Sequence, residues 1–281
     1  MIKLRHALLI GTSLLLSSCK MVVLDPKGIV AVGEKHVLID AVLLMLIIVI
    51  PVIILSFVFA WQYRAKNTKA KYTPEWAHSH TLEVIWWTIP CVIILILAII
   101  TWISTHKLDP YRPLTSKTKP LVIQAVALDW KWLFIYPNQN IATVNYIQIP
   151  VNVPIQFFIT ADAPMYSFQI PQLAGQIYAM TGMQTKLNLM ASQPGNYRGL
   201  STNFSGDGFS GMFFVVHADS EQEFNQWVKQ VKHSSNKLNI SDYNELIKPS
   251  SNVPTEYFSF VVNNLFHEII AKYMQPNAAL K

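Results

Sequence analysis

The sequence predicts a membrane protein in which a two-helix transmembrane hairpin is followed by an antiparallel β-sandwich and a short helical, aromatic-rich C-terminal segment. Three observations support this prediction: two long uncharged apolar runs, regularly spaced runs of strand length after Pro120, and a capped polar helix behind them. The 281 residues are 52% hydrophobic and 14% charged, with a mean hydropathy of +0.30. Soluble domains carry about 25% charged residues, so the composition excludes an ordinary soluble protein.

The first 19 residues are typical of an export signal. Lys3 and Arg5 precede an apolar run, and the segment ends in Leu16-Ser17-Ser18-Cys19. The run is too short to cross a bilayer and has the flanks of a secretory signal. Its ending is similar to a bacterial lipoprotein cleavage box, which predicts removal of residues 1–18 and acylation of Cys19, with palmitate as one expected lipid. An ordinary signal anchor would instead keep residues 1–18.

Two uncharged runs form the predicted hairpin. After an outer segment at 19–40, the spans are placed at residues 41–61 and 83–105, each long enough to cross the hydrocarbon as a helix. Pro51 and Pro90 interrupt these runs. Membrane helices tolerate proline where neighbouring helices satisfy the freed carbonyl groups, so both spans are expected to pack against a partner.

The orientation of the hairpin depends on the export signal. Basic residues occur in the 62–82 loop and, in nearly equal number, in the 106–119 linker, so the positive-inside rule does not decide. An exported N-terminus followed by two spans predicts that the 62–82 loop is cytoplasmic. The linker and everything after it are then expected on the periplasmic side of a bacterial inner membrane.

Residues 120–218 are interpreted as the exported sandwich. Apolar runs alternate there with Pro, Gly, Asn and Asp, as expected for short strands joined by turns. The predicted strands lie within Leu121–Tyr136, Ile141–Ile149, Val153–Thr160, Ser167–Ile170, Gln184–Met190 and Met212–Val216. In the remaining segment, 219–281, Ser220 and Glu223 predict a capping box that opens a helix through about Val231. The aromatic tail Val253–Met274 is expected to be helical in part.

Several motifs together resemble a known family. Asp129-Trp130-Lys131-Trp132 is similar to a tryptophan-rich strand of one protein family, and residues 176–183 and 206–212 resemble sequence motifs of the same family. With the signal, the hairpin and the sandwich in this order, the chain resembles subunit II of the haem-copper respiratory oxidases, and most closely the quinol-oxidising, cytochrome o type branch. The resemblance implies a cupredoxin-like sandwich, and Trp130 and Trp132 are expected in core packing or a subunit contact.

The family's cytochrome-c-oxidising members hold a dinuclear copper centre. The resemblance allows each ligand position of that centre to be compared with the residue in this chain. They use two Cys, two His, one Met and a Glu carbonyl, because bridging thiolates select and couple copper. The corresponding residues here are Tyr166 and Phe209 at the histidines, Ser201 and Ser205 at the cysteines, Asn203 at the glutamate, and Met212. Only Met212 is retained, so no copper, and no other metal, is expected in this chain.

The resemblance implies a set of cofactors and partners for the complex. Haem b, haem o and copper are expected in subunit I, with ubiquinol as the substrate and oxygen reduced to water as protons are pumped. Expected partners are subunits I, III and IV and the membrane lipid. Without a copper relay, no cytochrome c is expected to bind. The net charge of +6 includes no block of basic residues, so nucleic-acid binding is not indicated either.

Glu83 is the candidate for chemistry. An ionisable group at the start of a membrane helix can take protons from water, and the resembling family has a Glu at this place as the mouth of a proton-uptake channel. A solvated carboxylate that interacts with the helix dipole is the alternative. His78 and His80 lie nearby, but two histidines without a third ligand are weak evidence for a metal.

Two other functions remain open from the sequence alone. One is a copper-dependent cytochrome c oxidase subunit, against which the replaced ligand residues argue. The other is a free-standing membrane lipoprotein or assembly factor. That alternative leaves Pro51, Pro90, Glu83 and the aromatic tail without a common explanation.

Overall fold

The computed structural model describes residues 21–71, 73–116 and 118–274. The predicted signal at 1–18 and the predicted lipid attachment at Cys19 lie outside these residues. The chain divides into two compact units, residues 33–109 and a second unit that combines the residues up to Val32 with those from Pro110 onward. Each unit is described separately below.

Two long apolar helices contain the predicted spans. Helix α1 covers Ile29–Gln62 and helix α2 covers His80–Lys107, with Pro51 and Pro90 inside them. Both are long and apolar enough to cross a membrane. Almost none of the residues in their apolar stretches is buried by the rest of the described chain. The helices continue beyond the predicted spans because charged residues such as Glu34 end an apolar run without preventing helix formation.

Within the described residues, eleven strands form the sandwich. They are β1 Leu121–Leu128, β2 Lys131–Tyr136, β3 Ile141–Val144, β4 Tyr146–Pro150, β5 Ile155–Ala161, β6 Tyr166–Ile170, β7 Ala174–Ala179, β8 Thr185–Leu189, β9 Gly195–Ser201, β10 Phe213–Asp219 and β11 Glu256–Phe258. One sheet has the order β11-β3-β2-β1-β5-β8 and the other β4-β10-β9-β6-β7. Each of the six predicted runs overlaps at least one strand, whereas β7, β9 and β11 were not predicted.

The strand directions correct one detail of the prediction. Seven of the nine strand pairs in the described chain are antiparallel, but β1 pairs with β5, and β4 with β10, in parallel. The chain crosses to the second sheet at β4 and returns to the first at β5, so the returning strand lies beside β1 in the same direction. Such a crossover is what parallel pairing requires.

An aromatic cluster fills the space between the sheets. Trp132 and Phe168 meet edge to face with ring centroids 5.2 Å apart, and Phe168 stacks on Phe214 at 5.1 Å. All three side chains are fully buried. At Gly199 a Cβ atom would lie 2.1 Å from the Phe214 ring, so this strand position has room only for glycine. The expectation of core packing therefore holds for Trp132.

The C-terminal segment is part of the sandwich. The predicted capping box is confirmed, because Ser220 and Glu223 satisfy each other's backbone amides at the start of helix α3, Glu221–Lys232. Helices α4, Ile240–Leu246, and α5, Leu265–Met274, follow. Between them β11 pairs with β3, and Phe266 of α5 is buried in a second apolar cluster with Leu133 of β2.

Candidate functional site

The six positions of the family's copper centre are brought together at one end of the sandwich. Tyr166 begins β6, Ser201 ends β9, and the other four positions lie in the loop from Ser201 to Met212, here called the 201–212 loop. The Ser201 amide donates to the Met212 carbonyl at 3.3 Å, which closes the loop where it joins β10. Asn203 is tied to the residue after Tyr166, because the Ser167 hydroxyl donates to its Oδ1 at 2.5 Å.

Tyr166, which stands at one of the two histidine positions, is hydrogen-bonded to an acidic side chain. Its hydroxyl donates to Asp129 Oδ1 at 2.8 Å. Burial, and next the bond to the Asp129 carboxylate, raise the pKa of Tyr166 above its usual value. The phenol is therefore neutral at physiological pH, and its proton is directed at Asp129.

The remaining side chains do not suit copper either. Ser201 and Ser205 present neutral hydroxyl groups where bridging thiolates would be needed, and Phe209 has no donor atom. Met212 is buried and is the one soft donor retained. Over the described parts of the chain, no three His, Cys, Asp or Glu side chains lie close enough together to hold a metal. The residues present therefore do not fit a dinuclear copper centre.

Trp130 holds the loop in place. Its indole Nε1 donates to the Ser205 carbonyl at 2.9 Å, and its backbone has a φ of 60°. A left-handed conformation is strained for a bulky aromatic residue, so the contacts of Trp130 must maintain it. At Gly208 a Cβ atom would lie 2.3 Å from the Trp130 ring. Loop and tryptophan are thus held together by this hydrogen bond and by close packing.

Replacing Gly208 with alanine is expected to destabilise this interlocked arrangement. The added methyl group overlaps the Trp130 ring and forces the loop outward, at a cost of about 1–2 kcal/mol in the free energy of unfolding. Thermal denaturation of the purified protein measures the effect. Ser210→Ala is the control, because Ser210 is exposed in the same loop. Equal stability of the two variants would contradict the proposed packing.

Glu83 lies in the first turn of α2, far along the chain from the loop. Its amide donates to the carbonyl of Ser79, the residue that caps the helix, and its side chain is half exposed. Glu83 Oε2 is 3.6 Å from His80 Nδ1, and the His78 and His80 rings are 5.5 Å apart. The carboxylate is therefore half exposed in the described residues and lies beside His80.

The structure contains a third group of polar residues, around Asp162, that the sequence did not reveal. Asp162, after β5, is buried and receives hydrogen bonds from Tyr243 Oη at 2.6 Å, Lys272 Nζ at 2.7 Å and Tyr273 Oη at 2.6 Å. It thereby connects the sandwich to both α4 and α5. The only sequence signal was an isolated acid in an otherwise uncharged stretch, combined with tyrosines in the tail.

Comparisons with known proteins agree with this geometry. The family described as "Cytochrome C oxidase subunit II, periplasmic domain" matches residues 137–219, and the "COX Aromatic Rich Motif" matches residues 232–277. The cytochrome bo(3) ubiquinol oxidase subunit 2 of Pseudomonas aeruginosa is 56% identical, over 94% of this chain and 80% of its own length. The chain belongs to the ubiquinol oxidase subunit 2 family.

Other members of the family also match over most of their length. Ubiquinol oxidase subunit 2 of Acetobacter aceti is 53% identical, over 94% of this chain and 86% of its own length. The cytochrome bo(3) ubiquinol oxidase subunit 2 of Buchnera aphidicola subsp. Schizaphis graminum is 46% identical, over 98% and 95% respectively. The prediction of a quinol oxidase subunit II with a cupredoxin-like domain is therefore confirmed, and the protein is a membrane-anchored subunit of an oxidoreductase complex.

Proposed function

We propose that this chain is the copper-free subunit II of a proton-pumping ubiquinol oxidase in a bacterial inner membrane. The observation that supports this most strongly is the chemistry of the 201–212 loop. Neutral hydroxyls, a phenyl ring and a phenol bonded to Asp129 occupy the positions of the copper ligands. Without soft anionic sulfur, the loop has no means of holding an electron-accepting copper pair.

The absence of an electron-accepting copper pair determines which molecule donates the electrons. A water-soluble cytochrome c would have no redox group on this chain to reduce, so ubiquinol supplies the electrons directly to subunit I. That subunit holds haem b, haem o and copper, where oxygen is reduced to water. The contribution of this chain is support: its hairpin packs in the membrane against subunit I, beside subunits III and IV, and its sandwich caps the periplasmic side.

Two residues have particular roles in the proposal. Glu83 is the mouth of a proton-uptake path that continues in subunit I, which is supported by its half-exposed carboxylate beside His80 at the first turn of α2. Cys19 carries acyl chains that hold the mature N-terminus at the outer membrane surface, which is supported by the Leu16-Ser17-Ser18-Cys19 box. In this arrangement the hairpin and the lipid together anchor the periplasmic domain.

The complex purified through a tag on this chain tests the proposal. We expect a haem-bearing subunit to co-purify and ubiquinol to support oxygen consumption, whereas reduced cytochrome c does not. Metal analysis of the complex should find only the copper that belongs to the haem-copper site of subunit I. Turnover with cytochrome c, or copper that remains with this chain after the subunits are separated, would refute the proposal. Purification as a lone chain would favour an assembly factor.

A further inference from the structure

A buried carboxylate lies where strand β10 passes into helix α3. It belongs to Asp219, the last residue of β10, whose side chain is 7% exposed. Its Oδ2 accepts a hydrogen bond from Gln148 Nε2 of β4, whereas its Oδ1 has no hydrogen-bond partner within the described residues. Burial is the largest cause that raises the pKa of Asp219 above its usual 3.8. Hydrogen bonds therefore compensate this carboxylate only in part.

A histidine faces this carboxylate. His217 lies two residues earlier, on the same side of β10, and its Nε2 is 3.7 Å from Asp219 Oδ2. Its other ring nitrogen, Nδ1, is 2.6 Å from Oδ1 of Asn196, the residue paired with His217 on β9. Because an amide oxygen only accepts, Nδ1 is the donor in this contact. Nε2 therefore attracts the carboxylate only when it is protonated as well, which makes His217 an imidazolium.

The surroundings of this pair supply no other positive charge. Among the described residues, the groups that face it from neighbouring elements are neutral or acidic: Tyr136 of β2, Tyr146 and Gln148 of β4, Asn196 of β9 and Glu223 of α3. Glu223, which bonds to Ser220 at the start of the helix, itself contributes to the raised pKa of Asp219. Deprotonation of His217 therefore leaves a buried acid beside neutral groups and a second acid.

The backbone connects the pair to the docking of α3. The Asp219 carbonyl accepts from the Val151 amide, just after β4, at 2.8 Å, and Ser220 caps α3. The Phe224 amide donates to the Ser220 carbonyl at 3.0 Å in the first turn of α3. These two backbone bonds form what is here called the β10–α3 junction, and a displacement of Asp219 disturbs both of them.

We infer that His217 and Asp219 form a pH-sensitive switch that keeps the β10–α3 junction closed while His217 is charged. Imidazole side chains change charge between about pH 5 and 8, so a rise in pH through this range removes the attraction. A buried acid with a raised pKa is likewise stabilising at low pH and loses that contribution as the pH rises. Both groups therefore act in one direction, and the junction is most stable in mild acid. The switch is independent of the proposed roles of Glu83 and Cys19.

Hydrogen exchange of the detergent-purified complex at about pH 6 and about pH 8.5 tests the switch, since these values lie on either side of most imidazole titrations. Each rate is divided by the intrinsic exchange rate at the same pH, so that the ratio reports opening of the junction. The reporters are peptides that contain the amides of Val151 and Phe224. We expect opening to increase about threefold to fivefold at the higher pH, as for the loss of a partly exposed ion pair.

Two variants and a control assign this response to the pair. His217→Asn should show the high-pH opening at both pH values. Asp219→Asn removes the charge that His217 compensates and should abolish the pH response. His233→Asn removes an exposed imidazole from the other end of α3 and should keep the response of the unmodified protein. An unchanged pH response in His217→Asn, or equal opening of the unmodified protein at both pH values, would overturn the inference.

Discussion

Replacing Asp162 with alanine is expected to release α5 from the sandwich. The carboxylate is the common acceptor for Tyr243, Lys272 and Tyr273, and its removal leaves three donors without their partner. Hydrogen bonds to a charged group contribute about 1.5–3 kcal/mol each, although exposure of Lys272 reduces its share. We expect a loss of about 2 kcal/mol or more in the docking free energy, which is roughly a thirtyfold rise in amide exchange within α5.

Hydrogen exchange of the detergent-purified complex measures this effect. Asp162→Asn keeps the shape but loses the charge, so we expect an intermediate result. Glu268→Gln is the matched control, since it removes one negative charge from the exposed side of α5 itself. If α5 exchanged equally in Asp162→Ala and Glu268→Gln, the carboxylate would not be what holds the tail.

The same contact should depend on pH in a defined direction. Burial by itself would raise the pKa of Asp162, but the hydrogen bonds from Lys272, Tyr243 and Tyr273 together lower it below its usual 3.8. A lowered folded-state pKa stabilises the folded form above the unfolded value. The contribution is therefore complete above pH 3.8 and is lost as the pH falls below that value, which exchange measurements in acid would detect.

Replacing Glu83 with glutamine is expected to reduce turnover of the oxidase by at least about tenfold. Proton transfer by a positioned side chain contributes about 10²–10⁴ to a rate, and the half exposure of Glu83 allows water to replace part of that function. The step that slows should be proton-coupled reduction of the oxygen site, followed by stopped-flow spectroscopy of the haems. Binding of subunit I and haem content should be unchanged.

Two further variants distinguish proton uptake from a structural role of Glu83. Glu83→Asp retains a carboxylate and should recover much of the rate. Glu75→Gln removes an exposed acid from the loop before α2 and should leave turnover unchanged. If Glu83→Gln had normal turnover and normal proton-uptake kinetics, the assignment of Glu83 would be wrong.

Local chemistry allowed much of the fold to be predicted. The spans followed from runs without charge, and the α3 start from Ser220 and Glu223. For Trp132 the sequence left core packing and a subunit contact open, and its complete burial shows core packing. Strand β7 was missed because Ala174, Gly175 and Gln176 leave it without a run of large apolar residues, and β9 because Gly195 and Gly199 weaken its apolar pattern. Strand β11 is only three residues long.

The loss of the copper ligands was determined by the sequence alone, because donor chemistry belongs to the residue type and not to the fold. The long-range contacts that hold the loop and the C-terminal helices on the sandwich were decided only by tertiary structure. Tyr166 bonded to Asp129, Trp130 interlocked with Gly208, and Asp162 bonded to the tail are contacts between residues that are far apart in the chain. No local pattern encodes such pairs, since they form only when two sheets and the C-terminal helices pack together.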